Sequence, residues 1–460
     1  MPELILPGVY IEVRPEALIV GGPISVGNIG IVGTAAGGTV NQVEVLSSYA
    51  DAIAKFGSYD AFDPAANPPS LTLVRALQIA YDNGASTVLA VRVAKGTPAQ
   101  ATFIVPAASA TLTAVAPGSF GNKTKIKIEA DGATNMKVTL TYKTLTEVYS
   151  VADGNDLVTQ VNAQSAIATG SNGTAVKPTA VAETRFAGGT DGADATESDY
   201  KAGLDALLNE DAHIIVAAGL DDTKIGDELK SHVDAASNDK VKRDRIAISG
   251  SAANPTAATT PTQFSDRIVF VTPGIRVNDA AKAADPNIAD PSVILPGAYT
   301  AAAVAGMLSA RDPHISLTNK ALSVGGLEKK FNSAELEQLV KSQVLVIEAR
   351  RGFRVVKAIT TDDGAFRQIT TRRIVDFAKF GVRSAAEPYI GLLNNDRVRK
   401  ALKGSINGFL AGMVDDEMLV SYELDVTATR DEEIRGIARV TMTVRPTFSI
   451  DFIKVVMFLG

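Results

Sequence analysis

Hydrophobic and polar positions change their rhythm several times along the chain, and each change marks a different kind of element. Near the start Val9, Ile11 and Val13 alternate with Tyr10, Glu12 and Arg14, the two-residue period of a strand. Pro2, Pro7 and Pro15 bracket this run and keep it out of the middle of a sheet, since each lacks a backbone donor. Residues 1–20 therefore read as an extended arm. From 21 to 96 the pattern is strand, helix, strand. Ile29-Gly30-Ile31-Val32 is a short apolar run, and Leu73, Leu77 and Ala80 share one helical face. Asn83-Gly84 ends that helix, and Thr87–Val91 is apolar again. Residues 97–187 switch to alternation. Lys125–Glu129 and Lys137–Thr141, with Asp131-Gly132 between them, predict a hairpin within a small antiparallel β domain inserted into a larger α/β one.

The α/β rhythm resumes over 188–330. Tyr200, Leu204, Leu207 and Leu208 form a helix face. Strands are expected at Ile214–Val216, Arg245–Ile248 and Arg267–Val271, with helices over 222–238 and 297–310. Strands alternating with helices predict a mostly parallel sheet covered on both faces. Residues 331–450 read as a separate C-terminal α+β domain, with helices over 333–348, near 366–379 and near 394–411. Strands at Met418–Val426 and Ile437–Val444 follow, and 451–460 is a linking strand.

That last segment, Phe452-Ile453-Lys454-Val455-Val456-Met457-Phe458-Leu459-Gly460, is apolar where chain ends are usually polar and frayed. An apolar terminal strand aggregates unless its edge is paired and its faces covered. Either it closes a sheet of its own chain, or it adds to a neighbour's sheet by β-augmentation. The second reading assigns inter-subunit strand exchange to Val9, Tyr10, Ile11 and Val13 at one end. At the other end it assigns Ile453, Val455, Val456, Met457 and Phe458. Head-to-tail exchange is heterologous and propagates into a ring or a helix.

Composition narrows the classes. A chain of 460 residues exceeds one hydrophobic core, which stops growing at about 250–300 residues, so roughly three domains are expected. The absence of cysteine excludes disulfides and thiolate chemistry. A net charge of −6 provides no global basic field for nucleic acid. The longest apolar stretch, Val293–Leu308, holds Pro296 and Gly297 and falls short of the ~20 residues that span a bilayer. The start lacks the charged and apolar regions of a signal peptide, so a soluble protein with no direct membrane insertion is expected.

Charge is placed unevenly. Between Arg350 and Lys403 thirteen Lys/Arg stand against five Asp/Glu, a balance of +8; between Asp415 and Glu433 eight acids stand against one base, a balance of −7. Such runs are either solvated surfaces or an interface that reads a partner by charge. Arg397, Arg399, Lys400 and Lys403, within two turns of one helix, are the candidates for the second role.

Catalytic patterns are missing. Gly27–Gly33 places its glycines inside a strand without the G-x-G-x-x-G spacing, and no G-x-x-x-x-G-K-[ST] or G-x-S-x-G occurs. His213, His232 and His314 stand in no metal-ligand spacing. No catalytic, cofactor or metal site is expected.

In order and spacing the chain resembles the contractile tail sheath family. The carriers are Pro7-Gly8-Val9-Tyr10 with Ile11-Glu12, Pro117-Gly118-Ser119-Phe120-Gly121-Asn122, and Gly188-Gly189-Thr190-Asp191-Gly192. Pro291–Asp312, the Asn395–Leu410 helix, and Gly436 leading into Thr441–Pro446 and the apolar last strand complete them. Phe120 stands where the family often has tryptophan. The resemblance implies six-fold rings of this subunit, stacked helically around an inner tube and linked by exchanged terminal strands. On a baseplate trigger the sheath contracts and drives the tube through an envelope. Implied partners are the chain itself, the inner tail tube protein, and baseplate and tail terminator proteins; the charge pattern, not the resemblance, makes Arg397, Arg399, Lys400 and Lys403 the candidates for the tube contact. The implied setting is assembly in the host cytoplasm as part of a virion tail or injection particle. Alternatives are a tube or shell protein, though tube subunits tend to be shorter and chiefly β, and a nucleotide-binding α/β enzyme. A nucleic-acid binder using 350–403 is a further one, and that region has few aromatics for stacking.

Overall fold

Short apolar runs rich in valine and isoleucine build one nine-stranded sheet, which organises most of the chain. The computed structural model describes residues 27–63, 71–116, 118–191, 195–284 and 288–459. Val9, Tyr10, Ile11 and Val13 lie outside the described residues. The chain divides into two compact units, whose described residues are 27–312 with 317–368, and 313–316 with 369–459.

The larger unit opens with β1 (Ile29–Thr34), β2 (Val43–Leu46), α1 (Tyr49–Phe56), α2 (Leu73–Asp82) and β3 (Val88–Val93). Then come β4 (Thr102–Ile104), β5 (Thr111–Ala114), β6 (Lys125–Asp131), β7 (Asn135–Tyr142), β8 (Leu145–Val151), α3 (Gly154–Gln164), β9 (Ala168–Ser171) and β10 (Val181–Arg185). The α/β pattern returns with α4 (Glu197–Ala206), β11 (Ile214–Ala217), α5 (Asp222–Ala236), β12 (Ile246–Gly250), β13 (Ile268–Thr272) and β14 (Ile275–Asn278). The unit ends with α6 (Ala280–Ala283), β15 (Ser292–Leu295), α7 (Gly297–Ser309), β16 (Ala321–Leu322), β17 (Gly326–Leu327), α8 (Ser333–Lys341), β18 (Leu345–Ala349) and β19 (Phe353–Val355).

The large sheet runs β16-β19-β18-β13-β12-β11-β1-β3-β2. Its interior pairs, from β18 to β3, are parallel, while β2 at one edge and β19 and β16 at the other are antiparallel. Every residue of β3, β11, β12 and β13 is buried, as a parallel sheet with both faces covered requires. Val32, Leu89, Val91, Ile215 and Ala247 share a core with α4 and α5. The alternate residues Ile31, Val88, Ala90, Val216 and Ile248 are equally buried on the opposite face, where the Ala-rich α7 packs with α2.

Two smaller antiparallel sheets, β10-β6-β7-β8 and β4-β5-β9, enclose a core of their own that includes Leu112, Ile126, Val138, Leu140, Leu157 and Phe186. Asp131-Gly132 makes the β6–β7 turn, with Gly132 at φ 68°. At the root of this region the two motifs around Ser119 and Asp191 meet. The Asp191 carboxylate accepts from Ser119 N at 2.7 Å and Ser119 Oγ at 2.5 Å, and lies 3.7 Å from Arg92, whose side chain is fully buried. Asn122 and Gly189 exchange two hydrogen bonds of 2.9 Å. Gly118, at φ 72°, admits no side chain there: a Cβ would stand 2.4 Å from both Ala36 O and Asp191 Oδ1. These glycine-rich motifs are thus a clasp between segments about 70 residues apart in sequence, the separation of Ser119 and Asp191 being 72.

One expectation is corrected here. The helix read over 333–348 ends at Lys341, and Gln343 takes a left-handed φ of 61°. Val344–Ile347 is buried, and β18 pairs in parallel with β13, Leu345 opposite Val271. The smaller compact unit takes up the chain again at Ile369. A short apolar run fits a buried strand as well as a helix face, and its β-branched residues decide for the strand.

The smaller unit holds α9 (Ile369–Ala386), α10 (Asp396–Asp415), β20 (Leu419–Thr427), α11 (Arg430–Ile434) and β21 (Arg439–Pro446). Leu402, Ile406, Leu410 and Met413 recur at helical spacing and form the α10 stripe of a core shared with Ile374, Ala378 and Leu419. Gly381 lets α9 and α10 approach: a Cβ there would come within 1.9 Å of Phe409.

Candidate assembly surfaces

Pairing in the smaller unit stops early. β20 and β21 form a two-stranded sheet in the register Tyr422↔Val444, Leu424↔Met442 and Val426↔Val440. These six side chains alternate with the exposed residues Glu423, Asp425, Thr441 and Thr443. Tyr422, Leu424, Val426, Val440 and Val444 rest, half-buried, on the core of α9 and α10. Among the described residues each strand has one neighbour, so each leaves one edge of backbone donors and acceptors without a described strand partner. A two-strand hairpin is marginal by itself, and this one depends on the helices beneath it.

Beyond β21, Thr447 ties the chain back to the hairpin, with its amide donating to Met418 O at 3.1 Å and its hydroxyl to Glu417 O at 2.8 Å. The strand expected over Phe452–Leu459 is not formed within the chain: 447–459 holds no strand. Ile453 is 84% exposed, Val455 77%, Met457 79%, Phe458 90% and Leu459 94%. Val456 is likewise exposed. In extended form Ile453, Val455, Met457 and Leu459 would make one continuous apolar face, and Lys454 would fall on the other with Phe452, Val456 and Phe458. Of the two readings open from sequence, closure of the chain's own sheet is the one the fold does not adopt.

The basic helix is largely neutralised at home. Arg399 Nη1 lies 3.0 Å from Glu433 Oε1 and 2.9 Å from Asn394 Oδ1. Lys403 lies 3.2 Å from Asp425, and Lys400 lies 2.8 Å from Asp396 one turn away. Hydrogen bonds from Arg430 and then Arg399 hold the Glu433 carboxyl below the usual range. Arg397 is exposed and has no ion-pair partner among the described residues. The end of the basic run thus meets the acidic run inside the smaller unit, through Arg399 and Lys403. Sequence reasoning treated them separately, although opposite-sign runs within one domain were a visible signal of pairing.

His232 serves the fold. Burial, then the nearby Arg245, pushes His232 down to about 3, so its ring is neutral at pH 7. Its Nε2 lies 3.1 Å from Arg245 Nη1, and Arg245 donates to the carbonyls of Leu207, Leu208 and Glu210 where α4 ends. Gly30 and Gly33 lie within β1. Among the described residues no group of three or more His, Asp or Glu side chains gathers as a metal site would need. No helix among them is long and apolar enough to cross a membrane.

Comparison with known proteins bears on the family and the fold. The family model for the phage tail sheath protein central domain matches residues 193–361, and that for the phage tail sheath C-terminal domain matches 361–459. A tail sheath protein of Mycobacterium phage Bxz1 is 24% identical over 280 residues, 56% of this chain and 46% of that relative, so the match spans just under half of its length. The fold is similar to the sheath tail protein of Desulfitobacterium hafniense, with a TM-score of 0.70 at 19% identity over 96% of this chain and 100% of that one. It is also similar to the sheath tail protein of Listeria innocua, with a TM-score of 0.69 at 16% identity over 94% of each chain. The helical sheath of the anti-feeding prophage in its contracted state gives a TM-score of 0.59 at 16% identity over 99% of each chain. With consecutive family domains matched from 193 to 459 and this fold around them, the chain belongs to the phage tail sheath family, the structural sheath proteins of contractile tails and injection systems.

Proposed function

We propose that this chain polymerises as stacked six-fold rings around an inner tube and contracts to drive that tube through a target envelope. The carrying observation is the exposed apolar segment Ile453–Leu459, which follows a sheet that is two-stranded, with both edges unpaired, among the described residues. The segment adds to a hairpin edge of a neighbouring copy, with Ile453, Val455, Met457 and Leu459 turned onto that copy's α9–α10 core. The first arm, with Val9, Tyr10, Ile11 and Val13, supplies the reciprocal strand. Strand exchange is head to tail, so it propagates. A ladder of backbone hydrogen bonds can survive a change in subunit orientation while side-chain contacts elsewhere are remade, the requirement of a bistable sheath.

The inner tube is the partner for Arg397 and Lys400. Arg399 and Lys403 contribute through the pairs they already make: the exposed Lys403–Asp425 pair is worth little individually and releases readily, while the Arg399–Glu433 pair is half-buried. Baseplate and terminator proteins complete the particle, assembled in the host cytoplasm as part of a virion tail or injection particle. Sedimentation of the full chain against a variant lacking 452–460 tests this reading. The full chain is expected to pellet as large assemblies and the truncated chain to stay a folded monomer. Pelleting of both rejects the terminal strand as the link.

A further inference from the structure

The large sheet carries a concentrated basic patch at its β16 edge. Arg350, Arg351 and Arg354 lie on the β18–β19 hairpin and line one groove with Asn319, and Lys320 stands next to Asn319. Among the described residues the carboxylate paired with these four cations is Glu348, 3.0 Å from Arg350. Arg354 is held in place by donating to Asn319 O at 2.6 Å and to Arg351 O at 3.2 Å. Arg351 occupies the hairpin tip at φ 50°, where glycine or asparagine is the easier choice. Lys320 and Arg351 are exposed, and neither side chain has an ion-pair or hydrogen-bond partner among the described residues. Three close guanidinium groups and an ammonium, with one of the four paired to a carboxylate, form a surface whose excess positive charge favours an acidic partner.

An acidic surface of matching sense lies on the same unit. From Glu197 to Arg243 eleven Asp/Glu stand against six Lys/Arg, a balance of −5. The residues belong chiefly to α4 and α5, which cover one face of the sheet and are tied by Lys201 and Glu228 at 3.0 Å. Asp205 and Asp227 are exposed on it.

We propose that the β18–β19 arginine hairpin docks on the acidic α4–α5 face of a second copy, a charge-read contact separate from strand exchange. It rests on the polymer reading above. The contact joins different patches, so it is heterologous and compatible with an extended lattice. Charge complementarity of this kind selects register more than it adds affinity, and salt weakens it.

The test is a charge swap in the full chain, read as the concentration at which cylinders form. Lys320→Glu with Arg351→Glu breaks no internal pair, so the fold is retained, which a thermal melt verifies. At about 0.05 M salt this variant is expected to need roughly tenfold more protein to assemble than the wild type. Near 1 M salt the gap is expected to close, since the Debye length falls to about 3 Å. Adding Asp205→Lys and Asp227→Lys in the same chain is expected to restore assembly at low salt. Assembly of the reversed variant at the wild-type concentration, or no rescue by the swap, overturns the contact. A wild type that forms no cylinders under any of these conditions refutes the polymer reading itself, and this inference with it.

Discussion

Met457 allows the strand-exchange account to be worked through quantitatively. Its side chain is 79% exposed in the isolated chain, so Met457→Asp removes almost nothing from the monomer, and its stability is expected to change by less than about 0.5 kcal/mol. On the strand-exchange proposal the same side chain is buried in the assembled sheath, on the apolar face with Ile453, Val455 and Leu459. Losing its burial forfeits about 2 kcal/mol, and pressing a carboxylate toward that core adds about 2 kcal/mol more. The sum of about 4 kcal/mol corresponds to roughly a thousandfold rise in the concentration needed for assembly. Lys454 sets the control. It falls on the opposite face, so Lys454→Asp is expected to shift that concentration less than about tenfold. Light scattering against protein concentration gives both values, with a thermal melt of each monomer alongside. Equal effects of the two substitutions would refute the face assignment, and no effect of either would refute burial of the strand.

Two predictions concern the fold beneath these surfaces. Gly381→Val puts methyl groups where Phe409 already lies, and is expected to destabilise the smaller unit by about 3 kcal/mol, read by urea unfolding. His232 makes stability depend on pH. Its folded-state value is about 3 against about 6.5 unfolded, so the unfolded chain takes up the proton first. The contribution is complete above about pH 6.5 and is lost as pH falls toward 3, amounting to about 2 kcal/mol between pH 7 and 5. His232→Phe is expected to flatten that part of the profile, and an unchanged slope would assign it to other groups.

The large sheet was legible because its strands are pure apolar runs and its helices carry clear stripes. Ile29–Val32, Ile214–Val216 and Leu73 with Leu77 and Ala80 mean the same thing wherever they fold. Val344–Ile347 was not legible: four buried residues satisfy a strand and a helix alike, and pairing with β13, more than 70 residues earlier in sequence, made the choice. The terminal segment was recognisable as an apolar strand, while the absence of a pairing strand for it among the described residues is a tertiary fact. The charge runs show the reverse case. Arg399 and Glu433 are 34 residues apart, and a count taken run by run concealed that they neutralise each other.

The central claim is that this chain builds a cylinder from copies of itself. Negative-stain electron microscopy of the purified full-length protein, alone and co-expressed with its genomic neighbours, tests it most directly. Hollow, helically striated cylinders are the predicted result. Dispersed monomers in every preparation, including one that contains a tube protein, would contradict it.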